Sequence, residues 1–542
     1  MNRVVVFAFL LISFAGFAQQ QNAEKLPRPK LVVGIMVDQM RWDYLYRYYD
    51  RYQPNGFKRM LKEGFTCENT LIDYVPTVTG IGHSTVYTGS VPAIHGITGN
   101  DFIINATGKS INCVGDSIVQ TVGSSSDAGK MSPRNLLATT ITDELKLATN
   151  FRSKVIGVAL KDRGAILPAG HLADAAYWFD DASGNMITST YYMTELPKWV
   201  QAFNEKKLPE KYLKQNWNTL YDLNTYTQSL PDNNPYEGKF SGQETPTFPV
   251  KTSGMFEKGF GVLRRVPFGN TYTFDMARAA VENEKLGQGA LTDFLALSFS
   301  ATDGVGHQFA INSIEVEDTY LRLDKDLASF LTFLDGKVGK GAYTVFLSAD
   351  HGAAHNSRML MDRNVPAGIW KGGEIMKDMN ALLEKKYHAA NLITSFSASQ
   401  VSLNYPVIHK NNLEEESIKQ DCIRYLKTLP GVAFVSDMAK VSQESIPEEI
   451  KNRIINGYNP YRSGVIQVIL EPGWQGGTLG TGHSVWNPYD AHIPAVFMGW
   501  GIKQGRTVRQ THMTDIAPTL ASLLRVQMPS GAIGKAIPEA LK

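Results

Sequence analysis

Short, unbroken apolar runs recur along the chain at Leu31–Val37, Val155–Leu160, Phe294–Phe299, Tyr343–Leu347 and Ile493–Met498. Each is rich in β-branched or aromatic residues, and none alternates strictly between apolar and polar. Runs of this kind suit strands buried on both faces of a parallel sheet. Helical stretches lie between them, including Asp318–Leu334 and Thr514–Leu524. Strand and helix in turn predict an α/β fold, with a central, mostly parallel sheet sandwiched by helices.

Two regions break this rhythm. Residues 181–285 are rich in Tyr, Trp, Asn and Pro with weak periodicity, and read as an insertion covering one end of the sheet. Residues 366–480 carry a helix near Leu413–Leu426 and strand-like runs at Val432–Val435 and Val465–Leu470, and read as a smaller α+β insertion. The core is then expected in three parts, at residues 19–180, 286–365 and 481–542.

The N-terminus reads as an export signal. Arg3 supplies a positive end, Val4–Phe14 is apolar, and Ala15-Gly16-Phe17-Ala18 offers small residues at the −3 and −1 positions before Gln19. Residues 1–18 are therefore expected to be removed, leaving a periplasmic protein. No cysteine follows that site, so a lipid anchor there is not expected, and no later segment reaches the roughly 18 apolar residues of a membrane span. A formal net charge of +2 gives no electrostatic case for nucleic acid or an anionic membrane. Three cysteines, Cys67, Cys113 and Cys422, form neither a disulfide framework nor a CxxC metal motif, and sequence does not say whether any two pair.

The residues that follow the apolar runs are the informative ones. Leu31–Val37 ends in Asp38, Phe294–Phe299 leads into Asp303-Gly304-Val305-Gly306-His307, and Tyr343–Leu347 leads into Asp350-His351. Ligands of open α/β sheets bind beyond the carboxyl ends of the strands, so these groups would gather at one edge. A single Asp after a strand is ordinarily a helix cap or turn residue. Asp303 and His307 differ, because their i, i+4 spacing puts both on one face of a helical turn. Asp and His without Cys suit zinc in a catalytic setting. Two metals need about six protein ligands, and His483, in Gly480-Thr481-Gly482-His483-Ser484, is the remaining candidate.

Pro76–Thr85 is dense in hydroxyls and small residues and reads as a loop entering a helix, whose N-terminus would aim N–H groups at a phosphate. Thr77, Thr79, Ser84 and Thr85 are equal candidates for a nucleophile on these grounds. Lys161 and Arg163 follow the run Val155–Leu160; in extended chain they would share a face, two cations suited to a dianionic phosphoryl group.

Taken together these motifs resemble the alkaline phosphatase superfamily, and most closely the phosphate-irrepressible, PafA-type alkaline phosphatases. The likeness is strongest in Val33–Asp38, Val75–Asn100, Lys161–Gly170, Thr302–His307, Ser348–Gly352, Gly480–Ser484 and Thr514–Leu520. It implies a phosphate monoester hydrolase with two Zn2+ ions. One zinc is implied on Asp303, His307 and His483, and the other on Asp38, Asp350 and His351, with the Thr79 oxygen completing it. Thr79 is the implied nucleophile, passing through a phosphothreonine, and Asn100, Lys161 and Arg163 are the implied partners of the phosphoryl oxygens. No residues for a third, magnesium site are identified. The expected partners are small phosphate monoesters, with no nucleic acid and no membrane, and the expected state is a monomer.

A nucleotide pyrophosphatase/phosphodiesterase is the alternative, since it would share the metal ligands and the threonine. It should lack the Lys161/Arg163 pair, because a diester carries less charge and needs room for a second substituent. A sulfatase is disfavoured because none of the three cysteines stands in a C-x-P-x-R motif. A phosphoglycerate mutase is disfavoured by the export signal.

Overall fold

The structure, a computed structural model, describes residues 26–542, and the export signal expected at residues 1–18 lies outside the described residues. An 11-stranded sheet organises the chain. Its main strands are β1 (Leu31–Val37), β2 (Phe65–Leu71), β3 (Val155–Ala159), β4 (Ala175–Phe179), β5 (Met186–Ser189), β6 (Asp293–Phe299), β7 (Tyr343–Ser348) and β8 (His492–Gly499). They lie in the order β2-β8-β7-β1-β6-β3-β4-β5, with short strands extending both edges.

The five central strands, β7-β1-β6-β3-β4, are all parallel. β8 runs antiparallel to both its neighbours, which corrects the grouping of Ile493–Met498 with the parallel runs. A strand buried on both faces carries the same apolar pattern in either direction, so periodicity does not encode its polarity. The reversal matters, because it brings the start of β8, rather than its end, to the edge where the parallel strands finish.

The register shows why groups far apart in sequence meet there. Ala159, Ser298, Met36, Ser348 and Ala495 form one row across the sheet. Two residues beyond that row, on the same chains, stand Lys161, Ser300, Asp38 and Asp350. Residues two apart in extended chain face the same way, so parallel register alone delivers these side chains to one rim.

Helices cover both faces. α1 (Thr79–Thr88) and α2 (Asp162–Ala169) pack on one side, and α3 (Phe268–Asn283) and α5 (Ile314–Leu334) on the other, with α4 (Ala301–Phe309) at the rim after β6. The first side admits α1 closely because Gly34 of β1 lies under the Tyr87 ring. On the second side the Phe274 ring meets Phe299 at 4.2 Å and Phe330 at 5.2 Å between centroids. Fully burying side chains of this size stabilises by roughly 1.5–3 kcal/mol each.

Residues 181–285 add Trp217, Val250 and Leu263 to the main core, and α3, within that range, lies directly on the sheet. A second core, including Leu383, Ile418, Leu426 and Ile466, is enclosed by a separate four-stranded antiparallel sheet and its helices. The strands of that sheet lie between Ile393 and Leu470. Cys67, Cys113 and Cys422 are each buried and unpaired.

A methyl group added at Gly34 would meet the Tyr87 hydroxyl at 2.2 Å and the Phe346 ring at 2.7 Å. Gly34→Ala is therefore expected to destabilise the protein by about 1–3 kcal/mol in urea unfolding. An unchanged midpoint would show that this face is not tightly packed.

Candidate active site and metal centre

Two groups of potential metal ligands meet at the rim. Asp38, Asp350 and His351 offer atoms within 4.8 Å of one another, and so do Asp303, His307 and His483. The first group comes from the ends of β1 and β7. In the second, Asp303 and His307 sit one turn apart on α4, with the imidazole Nε2 3.0 Å from the carboxylate. His483 arrives from the loop before β8. That loop reaches α4 because Gly480, at φ +67°, lies where any Cβ would be 1.8 Å from the His307 carbonyl. The His351 and His483 rings stack at 3.6 Å between centroids, so the two groups adjoin.

The donor chemistry fits metal ions. In the first group Asp38 Oδ1, Asp350 Oδ2 and His351 Nε2 are buried with no hydrogen-bond partner among the described residues. Yet His351 Nε2 is 3.6 Å from each of the two oxygens. Three orphaned polar atoms converging in a buried site cost free energy unless a cation satisfies them. Each ligand imidazole is also held through its other nitrogen. His307 Nδ1 meets the Thr481 carbonyl at 2.8 Å, His351 Nδ1 that of Gly352 at 2.9 Å, and His483 Nδ1 that of Thr77 at 2.7 Å. This turns each Nε2 toward the ligand group, the usual second layer of metal sites, with His351 Nε2 unpartnered and His307 Nε2 on Asp303.

The crowded carboxylates dominate the electrostatics of the site. Burial first, and then the neighbouring charge of Asp38, push the Asp350 carboxyl well above the usual carboxylate range. Burial would raise Asp303 too, but His307 and Lys161 outweigh it and hold that carboxyl well below the usual range. The Asp303 charge raises His307 to about 9. Burial, and then the facing His351 and His307, drive His483 well below an ordinary histidine. His483 is therefore neutral, as a metal ligand must be, whereas His307 must give up a proton to bind a metal; the His483 side chain is only 9% exposed.

Thr79 opens α1 and is 2% exposed. The rival hydroxyls are all engaged elsewhere: Thr77 with Val485 O and the Asp490 carboxylate, Ser84 with Gly80 O, and Thr85 with the His95 ring. Thr79 Oγ1 instead faces Lys161 Nζ at 3.4 Å. α1 is set down at the rim by Gly82, where a Cβ would lie 2.3 Å from the Asp350 carbonyl. His83, not singled out by its sequence context, ties the Thr79 carbonyl (2.9 Å) to Ser298 of β6 (2.8 Å).

Lys161 Nζ bridges the two groups, 2.7 Å from both Asp38 and Asp303. Burial would lower its pKa, but those two carboxylates outweigh burial and raise it. The extended conformation expected for residues 161–163 is corrected here: Lys161 caps α2, and Arg163 lies in that helix's first turn. The strand ends two residues earlier than the cations require, so a helical turn, not a pleat, sets their relation. Arg163 Nε is buried without a partner among the described residues, and its guanidinium reaches only Asp162, at 3.5 Å. Asn100 accepts a hydrogen bond from the Gly80 N–H at 2.8 Å, beside the nucleophile candidate. Gln39, also unflagged by sequence, contacts both acidic groups.

Residues 32–479 match the family described as type I phosphodiesterase / nucleotide pyrophosphatase. The chain is 52% identical to alkaline phosphatase PafA of Elizabethkingia meningoseptica, across 98% of each chain. The crystal structure of wild-type PafA superposes with a TM-score of 0.94, covering 95% of this chain and 100% of that one. The chain belongs to the PafA-type alkaline phosphatases. As such an enzyme it hydrolyses phosphate monoesters. It is also 51% identical to alkaline phosphatase PhoV of Synechococcus elongatus, across 99% of each chain. A relative from Myroides odoratus named calcium-transporting ATPase is 57% identical, across 100% of this chain and 99% of its own. No helix among the described residues is long and apolar enough to cross a membrane.

Removing metal from this alkaline phosphatase should leave Asp350 facing Asp38 with no cation of its own, since Lys161 contacts Asp38 and Asp303. Chelation is expected to lower the melting temperature by on the order of 5 °C, with recovery on adding zinc back. Calorimetry that finds the same transition with and without chelator would contradict metal binding at these groups.

Proposed function

We propose that the enzyme cleaves phosphate monoesters in two displacements through a phosphothreonine at Thr79, with two zinc ions held by the two triads. The observation that carries this reading is the Thr79 hydroxyl: it is free of backbone bonds, sits at the N-terminus of α1, and adjoins Lys161, whose ammonium contacts a carboxylate of each triad. Asp303, His307 and His483 would hold one ion, and Asp38, Asp350 and His351 the other, with the Thr79 oxygen. What bound zinc supplies here is Lewis acidity, which favours ionisation of a hydroxyl and offsets charge on a departing oxygen.

Thr79 Oγ1 forms a bond to phosphorus as the bond from phosphorus to the leaving oxygen breaks. The departing oxygen takes a proton and leaves as alcohol. Water then attacks phosphorus, restoring the Thr79 hydroxyl and releasing inorganic phosphate. Asn100 uses its Oδ1 on Gly80, so its Nδ2 is the donor it offers to a phosphoryl oxygen. Lys161 stands at the reacting oxygen and Arg163 keeps an unpartnered buried N–H, so both cations are available to the non-bridging oxygens. A PafA structure in which a threonine, an asparagine, a lysine and an arginine are replaced matches this quartet by residue type.

Two positive side chains favour the dianionic monoester over a diester, against the phosphodiesterase reading that the family name allows. The terminal phosphate of ATP presents the same dianionic group, so ATP hydrolysis falls within this chemistry. Export to the periplasm by residues 1–18, and action as a monomer, complete the proposal.

Thr79→Ala should lower turnover of p-nitrophenyl phosphate by at least about 10³-fold while zinc content stays at the wild-type level. Wild-type-like turnover would remove Thr79 from the mechanism. Replacing Lys161 and Arg163 together by Ala should cost the monoester at least about 10²-fold in kcat/KM and bis-p-nitrophenyl phosphate far less. Equal losses on both substrates would show that the pair does not select for charge.

A further inference from the structure

Gln39 follows the metal-group residue Asp38 and turns the chain away from β1. Its φ is +65°, in the left-handed region, and it is only 3% exposed. A non-glycine residue held there carries local strain, of order 1 kcal/mol, and persists only where its surroundings demand it. The demand is visible. The Gln39 backbone N–H donates to Asp350 Oδ1 at 3.1 Å, and its side-chain Nε2 donates to Asp303 Oδ1 at 2.7 Å. One residue therefore binds a carboxylate of each triad. A carboxylate only accepts, so the amide nitrogen must face Asp303 and the amide oxygen must face away. That oxygen lies where a Cβ on Gly306 would be 1.9 Å distant. Gly306, the residue before His307 on α4, is what makes room for the amide.

We propose that Gln39 is a positioning residue that couples the two metal triads. Its backbone fixes Asp350 and its amide fixes Asp303, so that order imposed on one triad is passed to the other. A cation drawn to Asp350 and His351 sets the Gln39 N–H, and the turn that carries it sets the amide against Asp303. Coupling is reciprocal, so each cation raises the affinity for the other. This rests on the two-metal reading above. Lys161 also spans the triads, but as a cation it competes with metal, whereas a neutral amide orients a ligand without opposing the charge it binds.

The test is zinc titration of the metal-stripped full chain against a competing chelator, for wild type, Gln39→Met, Gln39→Gly and Gly306→Ala. Gln39→Met removes the amide at similar length. Gln39→Gly removes the amide and also relieves the backbone strain. Gly306→Ala leaves Gln39 intact and displaces its amide. Wild type is expected to take up two zinc ions per chain cooperatively. All three variants should take them up stepwise, with one step weakened about 10- to 100-fold and the melting temperature of the zinc-free protein little changed. Gln39→Met and Gln39→Gly binding both zinc ions with wild-type affinity and cooperativity would overturn the coupling. Both steps weakening equally would also overturn it, by showing a merely structural role. A wild-type chain that binds fewer than two zinc ions would instead defeat the two-metal reading itself.

Discussion

Asp38, Asp303 and Asp350 converge, buried, around the single ammonium of Lys161, and that concentration of negative charge governs this end of the molecule. Carboxylates leave water at a cost of several kcal/mol each unless they are paired or bound to metal. One lysine contacts two of the three. Asp350 is left facing Asp38 with an oxygen that has no partner among the described residues. A site built this way is poised for cations, and the same cations would act on whatever hydroxyl and phosphoryl group lie between them.

The charge is assembled by sheet register and not by any local motif. Four parallel strands end in one row, and the residues two positions further on share a rim. β8 enters the same rim from the opposite direction, bringing the loop that carries His483. Close contacts of glycines with backbone and side chains then fix the depth of each piece: Gly82 lets α1 rest on the Asp350 carbonyl, and Gly480 lets the His483 loop rest on α4. Thr79 is thus placed by a helix that packs against the strand end carrying one of the metal groups. Packing, and not flexibility, sets the geometry in which a threonine hydroxyl can act.

Much of this was legible in the chain itself. The apolar runs marked the strands to within a residue or two, and the Asp303/His307 spacing does lie on one face of a helix. Other parts were not, for physical reasons. Strand polarity is invisible in an all-apolar run, so β8 is indistinguishable there from the parallel strands. Nothing in Lys-Asp-Arg announces that a helix begins at Asp162, so the sequence alone favours extended chain for Lys161 and Arg163. Telling the four hydroxyls apart takes the hydrogen bonds that occupy Thr77, Ser84 and Thr85, and these partners lie as far as 413 residues away. Gln39 carries no signal, since a left-handed glutamine looks like any other. The family resemblance implies a nucleophile and phosphoryl partners where spacing alone leaves them open.

The central claim is that the two triads each hold a cation on either side of one activated hydroxyl. Crystallographic anomalous scattering at the zinc absorption edge tests it most directly. Two peaks are predicted, one among Asp38, Asp350 and His351 and the other among Asp303, His307 and His483, both close to Thr79 Oγ1. A single peak, or peaks away from these six side chains, would contradict the account.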